Sequence, residues 1–172
     1  MRPGLVQADA GLVGTGECSS AGSFTSGFAT RETVLALKKF LLGQDPINIG
    51  PLYETMRRHG RYAGGNSAPM TFALTGIENA LYDIVGKALN TPVYNLLGGS
   101  VREKVRLSHS LSMGPAEQIA RQAVRLAEEG YGTLKLKIGR DPAADRANVE
   151  IVRRRVPDVI LRVDANMGWS SP

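Results

Sequence analysis

Hydrophobic positions along the chain recur with two different periods, and each period predicts one type of element. Apolar residues spaced as on one face of a helix predict helices over 31–42, 52–58, 115–129 and 143–155. A longer helix is predicted to begin at Ser67-Ala68-Pro69 and to end before Thr91-Pro92. Alternating apolar and polar residues predict strands over 105–111, 133–139 and 160–166. The segment 59–67 between two helices, with its adjacent glycines, is predicted to be a loop.

The order of these elements predicts two different kinds of architecture in one chain. A Gly-rich turn over 11–18 leads into a strand and is followed by mainly helical elements. From residue 101 onward, strands and helices alternate, as they do at the start of an α/β barrel. A strand-helix-strand unit implies a parallel pair joined by a right-handed crossover.

Charged side chains are expected on one face of the last two predicted strands. Side chains on a strand alternate between faces, so Lys135 and Lys137 share one face, as do Arg162, Asp164 and Asn166. Solvated lysines on a half-exposed strand and a simple Asp-x-Asn turn are the alternative interpretation. Strands of a parallel pair are normally covered on both faces, which favours a polar site because buried charges are costly.

Composition and charge narrow the classes of function. The chain has 172 residues, of which 42% are hydrophobic and 22% charged, values typical of an ordinary globular protein. Its net charge is +5, with basic clusters at 102–106 and 153–155. The second cluster complements a helix C-terminus, and no nucleic-acid-binding motif accompanies the charge. We therefore expect no nucleic-acid partner.

The single cysteine and the N-terminal residues predict a compartment. Cys18 alone excludes an internal disulfide and suits a reducing cytoplasm; it has no histidine nearby in sequence, which favours a structural role over a nucleophilic one. The N-terminus lacks the apolar core of a signal peptide, and no apolar run is long enough for a membrane span. We expect a soluble cytoplasmic protein. His59 is expected to face solvent from the predicted loop.

Five motifs together resemble one known family. They are Gly14-Thr15-Gly16-Glu17, the segments 76–83 and 92–99, the Lys135-x-Lys137 strand, and Val163-Asp164-Ala165-Asn166. The chain is similar in them to the mandelate racemase/muconate lactonizing enzyme group of the enolase superfamily. The resemblance implies a partial α+β capping domain over 1–104, followed over 105–172 by three strands and two helices of a modified TIM barrel. By that pattern the sequence is a piece of a longer enzyme, and its fold is incomplete.

The resemblance also implies a chemistry and roles for five residues. The reaction is abstraction of the proton next to a carboxylate, giving an enolate held by Mg²⁺. Asp164 matches a metal ligand and Lys137 the acid/base, while Lys135 matches a neighbouring positive charge that contacts the substrate carboxylate. Asn166 is expected to support the lysine and the metal by hydrogen bonding. Glu17 matches a position that is mainly architectural in the family.

The remaining expectations concern the substrate and the products. By resemblance, a loop with Tyr62, Gly64, Gly65 and Asn66 helps to select a small carboxylate substrate. The reaction is expected to be a racemisation, epimerisation or cycloisomerisation, with dehydration of a sugar acid or hydroxy acid as the alternative. A further alternative is a catalytically silent truncated product, since one carboxylate does not hold Mg²⁺ tightly. The full-length protein is expected to be a homo-oligomer.

Overall fold

The computed structural model of the chain describes residues 4–8, 11–19, 26–62 and 67–169. The fold divides into an N-terminal unit, 1–101, and a C-terminal unit, 102–172. Each unit has its own hydrophobic core. Among the described residues, no helix combines the length and the apolar character that crossing a membrane requires.

The N-terminal unit is built around one long helix. Strands β1 (Gly4–Gln7) and β2 (Val13–Gly16) form an antiparallel hairpin. They are followed by helices α1 (Ser26–Leu37), α2 (Ile49–Tyr62), α3 (Ala68–Ala88) and α4 (Val93–Leu96), with a 3₁₀ turn at Lys38–Phe40 after α1. Helix α3 packs against β2, α1 and α2, so its apolar face supplies much of the core. Its core residues are Ala73, Leu74, Ile77, Leu81 and Val85.

Strand β2 lies directly on the backbone of α3. A Cβ atom added at Gly14 would collide with the Ala80 carbonyl oxygen, and one added at Gly16 with the Gly76 carbonyl oxygen. The contact is also held by charge, because Asp83 accepts a hydrogen bond from the Thr15 amide at 2.8 Å and one from Lys87 at 2.7 Å. These bonds, that from Lys87 first, lower the pKa of Asp83 below its usual range.

The C-terminal unit alternates strands and helices. Its elements are β3 (His109–Leu111), α5 (Ala116–Glu128), β4 (Thr133–Lys137), α6 (Pro142–Arg155) and β5 (Ile160–Asp164). The three strands are parallel and lie in the order β3-β4-β5. Leu134 and Leu136 point into a core shared with α5 and α6 and are fully buried. The predicted parallel strand-helix-strand arrangement is confirmed.

Helix α2 is longer than its sequence pattern predicted. The predicted helix, 52–58, extends in the structure over Ile49–Tyr62, because Ile49, Leu52 and Met56 form one buried stripe. The prediction of a loop starting at residue 59 is therefore wrong. His59 lies in the helix, where it is exposed and its ring stacks on Phe40 with ring centroids 4.4 Å apart.

Other boundaries also differ from prediction, most clearly the starts of α1 and β3. Helix α1 begins at Ser26, five residues before the predicted start at 31. Strand β3 covers only His109–Leu111 of the predicted 105–111, because its partner β4 begins at Thr133 and the first register pair is His109 with Leu134. Helix α3 begins after Ser67, as predicted, although the Ser67 side chain makes no capping hydrogen bond.

Candidate active site

The carboxyl ends of β4 and β5 bring the predicted charged residues together. In the parallel register Lys137 lies opposite Asp164, and Lys135 lies opposite Arg162. These side chains therefore project from the sheet face opposite to buried Leu134 and Leu136. The carboxyl ends of parallel strands are where α/β proteins generally place their ligand sites.

Lys137 makes two short contacts with β5 and the turn after it. Its Nζ lies 2.7 Å from Oδ2 of Asp164 and 2.6 Å from Oδ1 of Asn166. The Nζ of Lys135 lies 3.4 Å from the same Asp164 oxygen. The side chains of Lys135, Lys137 and Asp164 are each roughly one-third exposed, so the cluster is accessible from solvent. We call Lys135, Lys137, Asp164 and Asn166 the strand-end cluster.

The turn after β5 fixes the other side of the Asp164 carboxylate. Asn166 has a φ of +51°, a left-handed conformation that asparagine tolerates better than most residues. In this conformation its amide donates to Oδ1 of Asp164 at 3.0 Å, and its side chain reaches Lys137. Together these partners lower the pKa of Asp164 to about 2, with the Lys137 hydrogen bond as the largest cause and the Asn166 amide and Lys135 contributing further.

The turn after β4 holds a contact that sequence reasoning missed. Gly139 has a φ of +106°, and its amide donates to Oδ2 of Asp145 at 2.7 Å. Asp145 lies in the first turn of α6 and is only 8% exposed. An acidic residue early in a helix is common for electrostatic reasons alone. The presence of Asp145 there therefore did not indicate a bond to Gly139. Only the spacing of six residues between the two pointed to this bond, and that spacing is a weak signal.

Positive charge dominates this face of the sheet. Arg162 shares the face with the strand-end cluster and is exposed. Among the described residues of β4 and β5, this face thus carries Lys135, Lys137 and Arg162 against the one carboxylate of Asp164. Such a surface favours an anionic ligand.

Of the residues predicted to form a substrate loop, one lies in a helix and three lie outside the part of the chain that the structure describes. Tyr62 is the last residue of α2 and so does not belong to a loop, because the helix continues past the predicted end at residue 58. Gly64, Gly65 and Asn66 lie outside the described residues.

The residues that the structure describes do not form a complete magnesium site. Nowhere in the described ranges do three or more His, Cys, Asp or Glu side chains gather to hold a metal ion. Asp164 is one carboxylate, and both of its oxygens already accept hydrogen bonds from protein groups. Mg²⁺ requires near-octahedral coordination by several oxygen atoms, although it keeps some of its waters. Asp164 therefore has the chemistry of one ligand and no more.

Comparison with known proteins identifies the family. The family model described as "Mandelate racemase / muconate lactonizing enzyme, N-terminal domain" matches residues 5–98, and "Enolase C-terminal domain-like" matches residues 118–172. The chain belongs to the mandelate racemase/muconate lactonizing enzyme family of the enolase superfamily. The resemblance inferred from the sequence motifs is confirmed, and so is the partial fold, an α+β capping-type unit followed by the first strands of a barrel.

Individual members of the family show which enzymes the chain resembles. It is 33% identical to N-succinyl-L-Arg/Lys racemase of Bacillus cereus, with 96% of this chain covering 44% of the racemase. It is 34% identical to D-xylonate dehydratase of Haloferax volcanii, with 92% of this chain covering 38% of the dehydratase. The structure of muconate lactonizing enzyme from Pseudomonas putida superposes on this chain with a TM-score of 0.83 at 32% identity. The match covers 96% of this chain and 46% of the lactonizing enzyme. The chain thus spans less than half the length of these relatives, all of which are enzymes.

Proposed function

We propose that a protein containing this chain catalyses removal and return of the proton next to a carboxylate group, as a racemase, epimerase or cycloisomerase. The observation that carries the proposal is the convergence of the Lys137 amine and the Asp164 carboxylate at adjacent strand ends, 2.7 Å apart. The named activities of its relatives, racemase, dehydratase and lactonizing enzyme, support a shared step of this kind. The proposal concerns the whole protein, because the chain spans less than half of each relative.

Lys137 is the proposed acid/base. A protonated lysine has three N–H donors, and among the described residues Lys137 gives one to Asp164 and one to Asn166. These two bonds fix the direction of the amine and leave one position for the substrate: a lone pair in the neutral amine, which removes the proton, and an N–H in the protonated amine, which returns it. A general acid or base needs this kind of fixed position within reach of the proton that it transfers.

Lys135 and the charge of the face support a carboxylate substrate. The Nζ of Lys135 lies 3.4 Å from Asp164 and the side chain remains about one-third exposed, so its ammonium can contact a substrate oxygen. Lys135, Lys137 and Arg162 outnumber Asp164, the one acidic residue that the described strands β4 and β5 place on this face. An enolate that forms beside these cations gains electrostatic stabilisation.

Mg²⁺ is the proposed cofactor of the whole protein, with Asp164 as one of its ligands. When bound, the ion would supply additional stabilisation of the enolate oxygen. Because the described residues give only one carboxylate ligand, we propose that the isolated 172-residue chain binds Mg²⁺ weakly and is catalytically silent. Isothermal titration calorimetry of the chain with Mg²⁺ tests this, and a tight stoichiometric site would contradict it.

Dehydration of a sugar acid is a second candidate reaction. The 34% identity to D-xylonate dehydratase supports it as directly as the 33% identity to the racemase supports isomerisation. Both reactions begin with the same proton abstraction. They differ in whether the enolate is reprotonated or expels a hydroxyl group, and the product distinguishes them.

Exchange of the substrate proton with solvent tests the proposed function. A version of the protein extended to a complete barrel is incubated in D₂O and Mg²⁺ with N-succinyl-L-arginine or D-xylonate, and ¹H NMR follows the proton next to the carboxylate. We expect Lys137→Ala to lower the exchange rate by about 10²-fold or more, while Lys104→Ala, an exposed control, leaves it unchanged. Exchange by Lys137→Ala at a rate near that of the unsubstituted protein would contradict the assignment.

A further inference from the structure

Asp145 is a buried carboxylate that is joined to the strand-end cluster through the backbone. It is 8% exposed, and its Oδ2 accepts the Gly139 amide at 2.7 Å. Gly139 follows Lys137 by two residues and begins the turn that leads from β4 into α6. A buried carboxylate is costly unless it is hydrogen-bonded, so this bond ties the start of α6 to the end of β4.

The turn after β4, which contains Gly139, packs directly against the turn after β5. The Ile138 amide donates to the Asp164 carbonyl oxygen at 3.1 Å, which extends the ladder one residue beyond the paired strands. A Cβ atom added at Gly139 would lie 2.8 Å from the carbonyl oxygen of Ala165. One added at Gly168 would collide with the carbonyl oxygen of Gly139. The two turns are therefore in close backbone contact, and a shift of one changes the position of the other.

A second aspartate, at the N-cap of the same helix, provides a comparison. Asp141 caps α6 conventionally, because its Oδ1 accepts the amide of Ala144 at 2.7 Å within the same helix. Asp145, four residues later, bonds instead to a residue outside the helix. Asp141 therefore stabilises α6 itself, whereas Asp145 connects α6 to the turn after β4.

We propose that Asp145 is a positioning residue for Lys137. By holding the Gly139 amide it keeps the turn after β4 seated on the turn after β5, and so keeps the Lys137 amine within hydrogen-bonding distance of Asp164 and Asn166. Its role in catalysis rests on the proposed function, whereas its effect on the position of the amine does not. Asp145 itself touches none of the atoms of the amine–carboxylate contacts.

The experiment is NMR on the 172-residue chain, with ¹³C and ¹⁵N signals recorded for Lys137 Cε and Nζ, Asp164 Cγ and the Gly139 amide. In the unsubstituted chain we expect the Gly139 amide to be protected from hydrogen exchange. Asp145→Ala is expected to move the Lys137 and Asp164 signals toward those of an exposed lysine and aspartate. Asp145→Asn keeps an oxygen acceptor and is expected to preserve them. Asp141→Ala, which removes only the helix cap, is the matched control and is expected to leave the Lys137 signals in place.

Gly139→Ala tests the same step without changing α6. Its added Cβ displaces the turn from Ala165, so this variant is expected to move the Lys137 signals. It provides a second test in case Asp145→Ala does not fold. An unprotected Gly139 amide in the unsubstituted chain would overturn the proposal. So would folded Asp145→Ala or Gly139→Ala chains with unchanged Lys137 signals.

Activity measurements separate this proposal from the proposed function. In the protein with a complete barrel, Asp145→Ala is expected to lower kcat for proton exchange by up to about 10²-fold with little change in KM, and Asp145→Asn is expected to restore it. If the Lys137 signals move but the unsubstituted protein exchanges no proton, the proposed function fails and the positioning role stands. If the unsubstituted protein exchanges the proton and folded Asp145→Ala does so equally well, the positioning role fails and the function stands.

Discussion

The Nζ of Lys137 lies 2.7 Å from Oδ2 of Asp164, and the two residues face each other across β4 and β5. They are 27 residues apart in sequence, so helix α6 and the parallel register bring them together. The charged groups point away from the core that covers the other face of the sheet. The pair is therefore placed by the fold while contributing little to its hydrophobic stabilisation.

Neighbouring residues on β4 are expected to differ sharply in their effect on stability. Lys137→Met is expected to change the free energy of unfolding by less than about 1 kcal/mol, because a partly exposed ion pair contributes little. Leu136→Ala, its neighbour on the opposite face, is expected to cost about 2–5 kcal/mol, because Leu136 is fully buried in the core. Urea denaturation of both variants measures this contrast. Similar losses for the two variants would show that Lys137 has a structural role.

The contact between β2 and α3 is expected to exclude any side chain at Gly16. Gly16→Ala is expected to lower the free energy of unfolding by about 1–3 kcal/mol, since its Cβ would collide with the Gly76 carbonyl oxygen. Gly50→Ala is the matched control: it lies in the first turn of α2 with open space around it beyond its chain neighbours, and it is expected to change the free energy of unfolding by less than about 1 kcal/mol, because the gain in helix propensity is offset by the restriction that Pro51 places on the residue before it. Thermal or urea denaturation followed by circular dichroism compares the two. Equal effects would contradict the close packing of β2 on α3.

The Asp83 bonds to Thr15 and Lys87 are expected to make the stability of the chain depend on acid pH. The pKa of Asp83 is lower in the folded state than in the unfolded chain, so the unfolded state binds more protons as the pH falls. The stabilisation is therefore fully present above the unfolded pKa of about 3.9 and is lost as the pH falls through the folded value. Asp83→Asn, which keeps an acceptor but no charge, is expected to show a flatter profile below about pH 4. Denaturation curves at a series of pH values test this, and parallel profiles would refute it.

Periodicity predicted the fold well where one face of an element is buried. The stripe on α3 and the alternation on β4 both follow this rule, and both elements occur close to their predicted positions. The end of α2 was missed because the residues from His59 to Tyr62, which include Gly60, carry no apolar pattern, although the helix continues through them. The start of β3 was missed because pairing with β4, which begins at Thr133, decides where it begins.

Much of the candidate site could be predicted from Lys-x-Lys and Asp-x-Asn, because strand parity fixes which side chains share a face. The predicted roles of these residues in catalysis stay predictions. Parity could not reveal the bond between Asp145 and Gly139, which depends on how a turn folds back on a helix. Nor could it show that the Asn166 backbone bonds to Asp164, a consequence of the left-handed conformation of Asn166.

Titration of Asp164 tests the central claim, that Lys137 and Asp164 form one charge cluster, most directly. ¹³C NMR of the Asp164 carboxyl carbon is recorded as the pH is lowered from 6 toward 2 in the unsubstituted chain, in Lys137→Met and in the exposed control Lys104→Met. We expect a pKa of about 2 for Asp164 in the unsubstituted chain and the control, and a higher pKa in Lys137→Met, because the Lys137 hydrogen bond is the largest cause of the shift. An Asp164 that titrates near the ordinary value of about 3.9 in all three chains would contradict this claim.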